Sequence, residues 1–333
     1  MHRLPLLGVR PHGLVAGLAA VLVAATLLSG ASAGVNTPHS GWYSGNPLLG
    51  PNQLNDLACS GHTCYVSGAF GTLLKSSDGG STWSGIVTGL TAGLFRVRLA
   101  GGEPQRVVTG GGCSLRRSDD GGVNFLRLPF TASDASCPAG VVAFAFPTTD
   151  VGYLFLQGGG VLSTADGGRT FTRRTAVPGS QPSDVDCISA ATCFVASGST
   201  IQRTEDGGVS WTQAATVTPG LNAVEAADAK TLYAVGNGLM VLKSEDGGAT
   251  WKRKEVKGVS SGDLGKIRCG APATCLALTR TGTLLRTSDG GDTFASVVPS
   301  TDQTFAVEFA SASRALAAGA LGSAEVSSEK IGW

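Results

Sequence analysis

Short segments in which apolar and polar residues alternate recur along this chain of 333 residues. The first is Asp56–Cys59 (Asp-Leu-Ala-Cys), and equivalent segments begin at Arg96, Ala143, Asp184, Ala223, Lys266 and Ala306. A period of two places successive side chains on opposite faces of a strand, so each segment predicts a half-buried β-strand. Beyond residue 34 no stretch repeats with the period of an amphipathic helix, and the pattern predicts an all-β protein.

A second pattern follows each of the first six segments at an almost constant distance. It is an octet, Ser/Thr-x-Asp-Gly-Gly-x-x-Trp/Phe, whose aspartate lies 22 to 24 residues after the first residue of the segment. These aspartates recur every 40 to 46 residues and are Asp78, Asp120, Asp166, Asp206, Asp246 and Asp289. Repeats of this length are typical of propellers and solenoids.

A seventh, weaker unit is predicted at the end of the chain. Glu329 lies 23 residues after Ala306, in a segment that keeps the Ser and Trp of the octet but has lost its Gly pair. Each unit contains four strand-like stretches, which predicts a seven-bladed β-propeller of four-stranded antiparallel blades. We expect an N-terminal strand near Trp42 to pair into the last blade and close the ring. An open solenoid and a six-bladed ring with a loose tail are the alternatives.

The octet has the composition of a structural turn. Its Gly pair suits positive φ, its carboxylate can accept hydrogen bonds from turn amides and from the preceding Ser or Thr, and its aromatic residue can pack on neighbouring strands. Catalysis or calcium binding by the six aspartates is the competing interpretation. Because they would lie on different blades, we expect a structural role.

The first 33 residues predict a signal peptide. An apolar run, Leu14–Leu28, follows Arg3 and Arg10, and Ala31–Ala33 (Ala-Ser-Ala) is a small-residue cleavage signal. Residues 34–333 then form the propeller, secreted or in the cell envelope, although an uncleaved anchor is the alternative. This mature part has 23 basic and 24 acidic residues, so its charge gives no reason to expect a nucleic-acid partner.

The eight cysteines all lie in the mature part. Three pairs occupy equivalent places in their repeats, which favours the hairpin disulfides Cys59–Cys64, Cys187–Cys193 and Cys269–Cys275. Cys113 and Cys137 are left over, and we pair them provisionally. An exported chain is consistent with this framework. Metal binding is the competing interpretation, but no Cys-x-x-Cys is present, and we expect neither a metal nor a cofactor.

Charged residues in the opening segments mark a candidate site. They are expected to line the central channel and are Asp56, Arg96, Arg98, Asp184, Asp186, Glu225, Lys266, Arg268 and Glu308. They predict either inter-blade ion pairs or a polar pocket for a ligand or a partner's loop. A second basic set precedes the octets, at Lys75, Arg117, Arg203, Lys243 and Arg286, with Arg173–Arg174 and Lys252–Lys254 after octets. We interpret it first as protection of exposed outer strands and second as a partner-facing surface.

The octets resemble the Asp-box, or bacterial neuraminidase repeat. With the segments Gly71–Leu74 and Gly282–Leu285 (both Gly-Thr-Leu-Leu) and the Asp56-Leu57 type of opening strand, the chain looks like the propeller of photosystem II assembly and stability factors and their bacterial relatives. That resemblance implies a seven-bladed, non-enzymatic scaffold that binds a protein partner.

Sialidases share the Asp-box, so a glycoside hydrolase that uses channel-mouth carboxylates is the alternative function. Sialidases resemble six-bladed rings and carry an Arg-Ile-Pro segment, which is absent from this sequence, together with a Tyr/Glu nucleophile pair. Three of the four tyrosines, Tyr65, Tyr153 and Tyr233, lie in second-strand patterns where packing is the expected role.

Overall fold

The computed structural model describes residues 42–44, 52–130, 140–179, 182–297, 304–320 and 324–327. The chain divides into two compact units, Met1–Ala31 and Ser32–Trp333, and the described residues all belong to the second. The predicted signal peptide (1–33) and the seventh octet around Glu329 lie outside the described residues.

Seven sheets make up the described part, one for each predicted unit, and the four main strands of each sheet are antiparallel. The first strands contact one another near the axis and are Leu54–Ser60, Arg96–Leu99, Val141–Ala145, Pro182–Cys187, Leu221–Ala226, Leu264–Ala271 and Thr304–Ser311. The second strands are Thr63–Gly68, Val107–Gly111, Gly152–Leu156, Cys193–Ser197, Leu232–Gly236, Thr274–Thr279 and Arg314–Gly319.

The outer half of each blade is built from two further strands. The third strands are Leu73–Ser76, Ser114–Ser118, Val161–Thr164, Thr200–Thr204, Met240–Ser244, Leu284–Thr287 and Ala324–Ser327. The fourth strands are Ser84–Ile86, Leu126–Arg127, Thr172–Arg174, Thr212–Thr216, Lys252–Arg253, Thr293–Val297 and Trp42–Ser44. Blade 6 has an unpredicted fifth strand, Glu255–Lys257, which pairs parallel to Thr293–Val297. Two short 3₁₀ turns, Ala69–Gly71 and Ala100–Gly102, complete the described elements.

The second strands carry most of the core because both of their faces are covered. Every residue of Cys193–Ser197 is buried, and such strands are apolar without alternation. Phe194 of blade 4 is fully buried in one cluster with Leu232 and Leu242 of blade 5. Burial of a side chain of this size contributes about 1.5–3 kcal/mol. Apolar contact between adjacent sheets therefore holds neighbouring blades together.

The first and the last of the described strands pair in blade 7. Trp42–Ser44 pairs antiparallel with Ala324–Ser327. Blade 7 also contacts blade 1. Arg314 of blade 7 donates from Nε to the carbonyl oxygen of Gly79 in blade 1 at 2.9 Å, and Leu316 of blade 7 packs in one cluster with Leu54 of blade 1. The seven-bladed propeller is confirmed, and the six-bladed and open alternatives do not describe this chain.

Each Asp-box turn is closed by its own side chains, as Asp78 illustrates. The Ser76 hydroxyl donates to Asp78 Oδ1 at 2.7 Å, and the Thr82 amide and hydroxyl donate to Oδ1 and Oδ2 at 2.8 and 2.6 Å. Gly79 and Gly80 have φ of 67° and 88°, which favours glycine. A Cβ on Gly80 would lie only 2.4 Å from Leu316 Cδ2, so close packing on blade 7 also requires a glycine there.

The five basic residues that precede the octets do not protect exposed outer strands as predicted, and two of them, Lys75 and Arg117, link neighbouring blades instead. They lie on third strands, where Arg117 and Lys243 are buried. Lys75 Nζ donates to the carbonyl oxygen of Gly121 in the next Asp-box at 2.9 Å, and Arg117 donates likewise to Gly167. By contrast, Arg173–Arg174 and Lys252–Arg253 do lie exposed on fourth strands, as predicted.

Buried tyrosines make a second set of links between blades. The hydroxyl of Tyr65 donates to the carbonyl oxygen of Pro104, and that of Tyr233 donates to Pro272, both at 2.8 Å. Tyr153 donates in the same way to Ala190. Burial raises the pKa of Tyr65 to about 12. These contacts give the three tyrosines the packing role expected from their place in second strands.

Candidate functional site: the central channel

The nine charged residues predicted for the channel come together at the axis in two layers. The upper layer lies near the start of the first strands and contains Asp56, Arg96, Asp184 and Lys266. The lower layer lies nearer the hairpins that join first and second strands, and it contains Arg98, Asp186, Glu225, Arg268 and Glu308. A cavity of about 180 Å³ is lined by all five residues of the lower layer together with Ala58 and Val185.

In the upper layer, Arg96 of blade 2 spans blade 3 to reach blade 4. Its Nη1 lies 2.6 Å from Asp184 Oδ1, and its Nη2 donates to the carbonyl oxygen of Ser183 at 2.6 Å. On the way its Nε donates to the carbonyl oxygen of Val142 in blade 3 at 3.0 Å. Blade 3 carries the small, buried Ala143 at the position equivalent to Arg96, which is consistent with this span.

Asp56 is the most heavily paired carboxylate of the upper layer. Lys266 Nζ lies 2.8 Å from its Oδ1, and Arg98 Nη1 lies 2.6 Å from its Oδ2. Burial opposes ionisation of Asp56, but the charges of Lys266 and Arg98 outweigh it and hold the pKa of this carboxyl far below its usual range. Asp56 is therefore a fixed negative charge at ordinary pH.

The lower layer has fewer cations than anions. Arg268 Nη1 lies 3.1 Å from Glu225 Oε2, and its Nε lies 3.4 Å from Glu308 Oε2. Burial raises the pKa of Glu225 well above its usual range and raises the pKa of Glu308, because the single Arg268 guanidinium offsets the burial only in part. These carboxyls are chemically unlike Asp56, although the sequence places all of them in equivalent strands.

Channel carboxylates also accept hydrogen bonds from the next blade, a function that the sequence analysis missed. The Ala226 amide donates to Asp186 Oδ2 at 2.8 Å, and the Cys269 amide donates to Glu225 Oε1 at 3.1 Å. The first strand is an edge strand, so its outward amides have no partner within their own sheet. An acidic residue one blade earlier supplies the acceptor. The pairing could have been inferred from the edge position of these strands.

The other predicted site residues lie elsewhere in the blades. The six Asp-box aspartates sit in turns between third and fourth strands and do not line the channel cavity. The disulfides Cys59–Cys64, Cys187–Cys193 and Cys269–Cys275 close hairpins between first and second strands. Cys113 is also disulfide-bonded, but its predicted partner Cys137 lies outside the described residues.

The described ranges contain neither a metal-binding cluster nor a membrane-spanning helix. Over these ranges, no group of three or more His, Cys, Asp or Glu side chains is arranged to hold a metal ion. Within the same part of the chain, no helix has the length and apolar character needed to cross a membrane.

Fold and site together define a seven-bladed Asp-box propeller with a charge-lined channel. A family model described as photosynthesis system II assembly factor YCF48 matches residues 178–324. These residues cover the end of the segment that joins blade 3 to blade 4, and most of blades 4 to 7. The chain is similar to these assembly factors in its repeats and in its fold. A comparison with curated proteins finds no match.

Solved structures show the same likeness. YCF48 from Cyanidioschyzon merolae has 17% identity and a TM-score of 0.70, with 86% of this chain and 98% of that chain covered. A structure of YCF48 bound to D1 peptide has 17% identity and a TM-score of 0.69, with 87% and 97% covered. The GH74 enzyme of Niastella koreensis has 14% identity and a TM-score of 0.69, with 87% of this chain but 54% of the enzyme covered. At these identities the likeness shows the fold, and this chain spans about half the length of the GH74 enzyme.

Proposed function

We propose that this protein is an exported, non-enzymatic propeller that binds a segment of a protein partner and serves as an assembly scaffold in the cell envelope or outside the cell. The observation that carries the proposal is the likeness to YCF48, of which one structure is bound to D1 peptide. The match of the YCF48 family model to residues 178–324 supports the same reading.

The size of the channel cavity supports a contact with a partner's side chain. At about 180 Å³ the cavity is smaller than pockets for drug-sized ligands, which enclose about 300–1,000 Å³. It also opens beside the first hairpins, three of which are closed by disulfides. A protruding side chain of a bound segment fits these dimensions better than an oligosaccharide does.

The proposed export rests on two features of the chain. The first 33 residues have the charge and apolar pattern of a signal peptide. Disulfides persist in oxidising compartments, and three hairpin disulfides are present among the described residues. Cell fractionation followed by N-terminal sequencing tests the idea. Recovery of an extracytoplasmic chain that starts at Gly34 supports it, and a cytoplasmic chain with an intact N-terminus rejects it.

A cross-linking experiment tests the binding function. The mature wild-type protein is compared with Ala58→Met, which fills the cavity without a change of charge, and with Ala249→Met on an exposed Asp-box turn as control. Each is cross-linked to envelope extract, and the products are identified by mass spectrometry. We expect one protein to be captured by the wild type and the control but lost with Ala58→Met, and circular dichroism checks that this variant is folded at the temperature of the experiment. Equal capture by all three places binding away from the channel, and no specific capture rejects the scaffold.

A glycoside hydrolase is the second candidate, and one observation favours it. Glu225 and Glu308 line the cavity, and burial raises their pKa, which is a property of general acids in glycosidases. A panel of chromogenic glycosides tests this candidate. Turnover that is abolished by Glu225→Gln supports the enzyme, and no turnover by the folded wild type on any substrate of the panel counts against it.

A further inference from the structure

The lower layer of the channel brings three carboxylates to one guanidinium. Arg268 contacts Glu225 and Glu308 directly, and Asp186 lines the same cavity beside them. The side chains of Arg268, Glu225 and Glu308 are 8%, 13% and 17% exposed, so water screens their charges poorly. Three buried negative charges around one positive charge are unfavourable unless something compensates for the excess.

The surrounding charges supply that compensation only in part, since Arg98 favours the charged form of Glu308 but does not offset the burial. The other guanidinium of the cavity, Arg98 of blade 2, is already paired at 2.6 Å with Asp56 of blade 1. The remaining charged groups of the first strands are Arg96 in blade 2, Asp184 in blade 4 and Lys266 in blade 6, and these pair with one another or with Asp56 in the upper layer. Blade 3 contributes only alanines, Ala143 and Ala145, at the equivalent positions.

We propose that Asp186, Glu225 and Glu308 form a proton-binding site in the channel, which makes the ring more stable at mildly acidic pH than at alkaline pH. A proton bound between these carboxylates reduces the negative excess around Arg268. It also provides a hydrogen-bond donor where only Arg268 and backbone amides now donate. The site is a property of the isolated propeller and is independent of whether the protein binds a partner.

The direction of the pH effect follows from the burial of the three groups. Burial raises the pKa of Glu225 and Glu308, and it raises that of Asp186 against the opposing hydrogen bond from the Ala226 amide. The folded protein therefore holds these protons more tightly than the unfolded chain does. This contribution to stability is complete below the unfolded pKa values of about 4, and it is lost as the pH rises through the higher folded values.

The test is the melting temperature of the mature protein between pH 5 and pH 8.5. We expect that of the wild type to fall as the pH rises. Glu225→Gln and Glu308→Gln remove the charge but keep the shape, so each is expected to melt at least about 2 °C higher than the wild type at pH 8 and to show a flatter profile. Glu205→Gln, at a side chain that is 66% exposed, is the matched control and is expected to keep the wild-type slope. All four proteins share every other ionisable group, so any further pH dependence cancels in the comparison.

A titration of the wild-type side chains gives a second test that remains valid if a variant fails to fold. Carboxyl ¹³C resonances of the wild-type glutamates, assigned with the Gln variants, give a titration midpoint for each side chain. We expect the midpoints of Glu225 and Glu308 to lie above that of Glu205. Midpoints at or below that of Glu205 overturn the proposal, and so do Gln variants whose melting profiles run parallel to that of the wild type.

Discussion

Lys266 of blade 6 reaches past blade 7 and pairs with Asp56 of blade 1, with 2.8 Å between Nζ and Oδ1. Its Nζ also donates to the carbonyl oxygen of Asn55 at 2.6 Å. Blade 7 allows this span because it carries the buried Ala306 at the equivalent position. The contact joins the two neighbours of blade 7, in which Trp42–Ser44 pairs with Ala324–Ser327. The ring is therefore closed by an ion pair at its axis as well as by strand pairing at its rim.

We expect Lys266→Met to destabilise the protein by about 2 kcal/mol or more, because it leaves Asp56 buried with one cation in place of two. Chemical denaturation of the mature protein measures the free energy of unfolding. The matched control is Lys257→Met, which removes an exposed lysine 3.5 Å from Glu255 and is expected to cost less than about 1 kcal/mol. Equal losses for the two variants would show that the Lys266 pair contributes no more than a surface pair.

We expect the small size of Ala143 in blade 3 to be as necessary for stability as the ion pair of Arg96. Ala143 is fully buried in an apolar cluster of blades 3 and 4, next to the Val142 carbonyl that Arg96 contacts, so Ala143→Leu should overpack the site and cost about 1–3 kcal/mol. Thermal unfolding measures the effect, with Ala249→Leu on an exposed turn as control. If the Ala143→Leu protein melts with the wild type, then Arg96 does not depend on space in blade 3.

Asp78→Ala is expected to lower the melting temperature without a change in partner binding. The substitution removes the acceptor of three hydrogen bonds, from Ser76 and from the amide and hydroxyl of Thr82, each of which contributes about 0.5–1.5 kcal/mol at most. Asp150→Ala, at an exposed loop position, is the control. Loss of binding at an unchanged melting temperature would assign Asp78 to the binding site instead of the turn.

Strong acid is expected to unfold the propeller through its Asp-box turns. Hydrogen bonds from the octet lower the pKa of Asp120, Asp206 and Asp246 to about 2. The stability that these carboxylates add is present above their unfolded pKa of about 3.9, and it is lost as the pH falls towards 2. Circular dichroism at fixed temperature between pH 5 and pH 2 follows the transition. A protein that stays fully folded at pH 2 contradicts this account.

Each hairpin disulfide closes a short loop and is expected to add modest stability. Cys187 and Cys193 are six residues apart, and the loop-entropy relation gives about 2 kcal/mol for a ring of this size. Denaturation of the Cys187→Ser/Cys193→Ser double variant measures the loss, and Ala191→Ser, at an exposed position of the same hairpin, is the control. No loss in the double variant would mean that strand pairing alone holds the hairpin.

The fold was predictable because its signals repeat. The octets and the constant distance from the opening strands give the number of blades, and alternation in those strands places Asp56 and its counterparts at the axis. The glycine pairs indicate the turns. By contrast, nothing in the sequence repeats at Glu255–Lys257, so the fifth strand of blade 6 was not predicted.

The partners within the channel were beyond sequence reasoning. Arg96 and Lys266 pair with residues two blades away, and such a choice depends on side-chain reach and on the space left by an alanine. The role of Lys75 and Arg117 was misread because the sequence places them before a turn without showing that the next blade covers them. In both cases the contact depends on the distance between blades, and the residues of a single repeat do not reveal that distance.

The ion pairs that pass over Ala143 and Ala306 also bear on how such a protein can change over generations. A repeat chain can in principle lengthen or shorten by duplication or deletion of one unit. Here an inserted or missing unit beside either alanine would carry Arg96 or Lys266 out of range of its acceptor and leave an orphan charge at the axis. The two spans therefore fix which blades lie beside Ala143 and Ala306, and a gain or loss of a unit at either place should destabilise the ring.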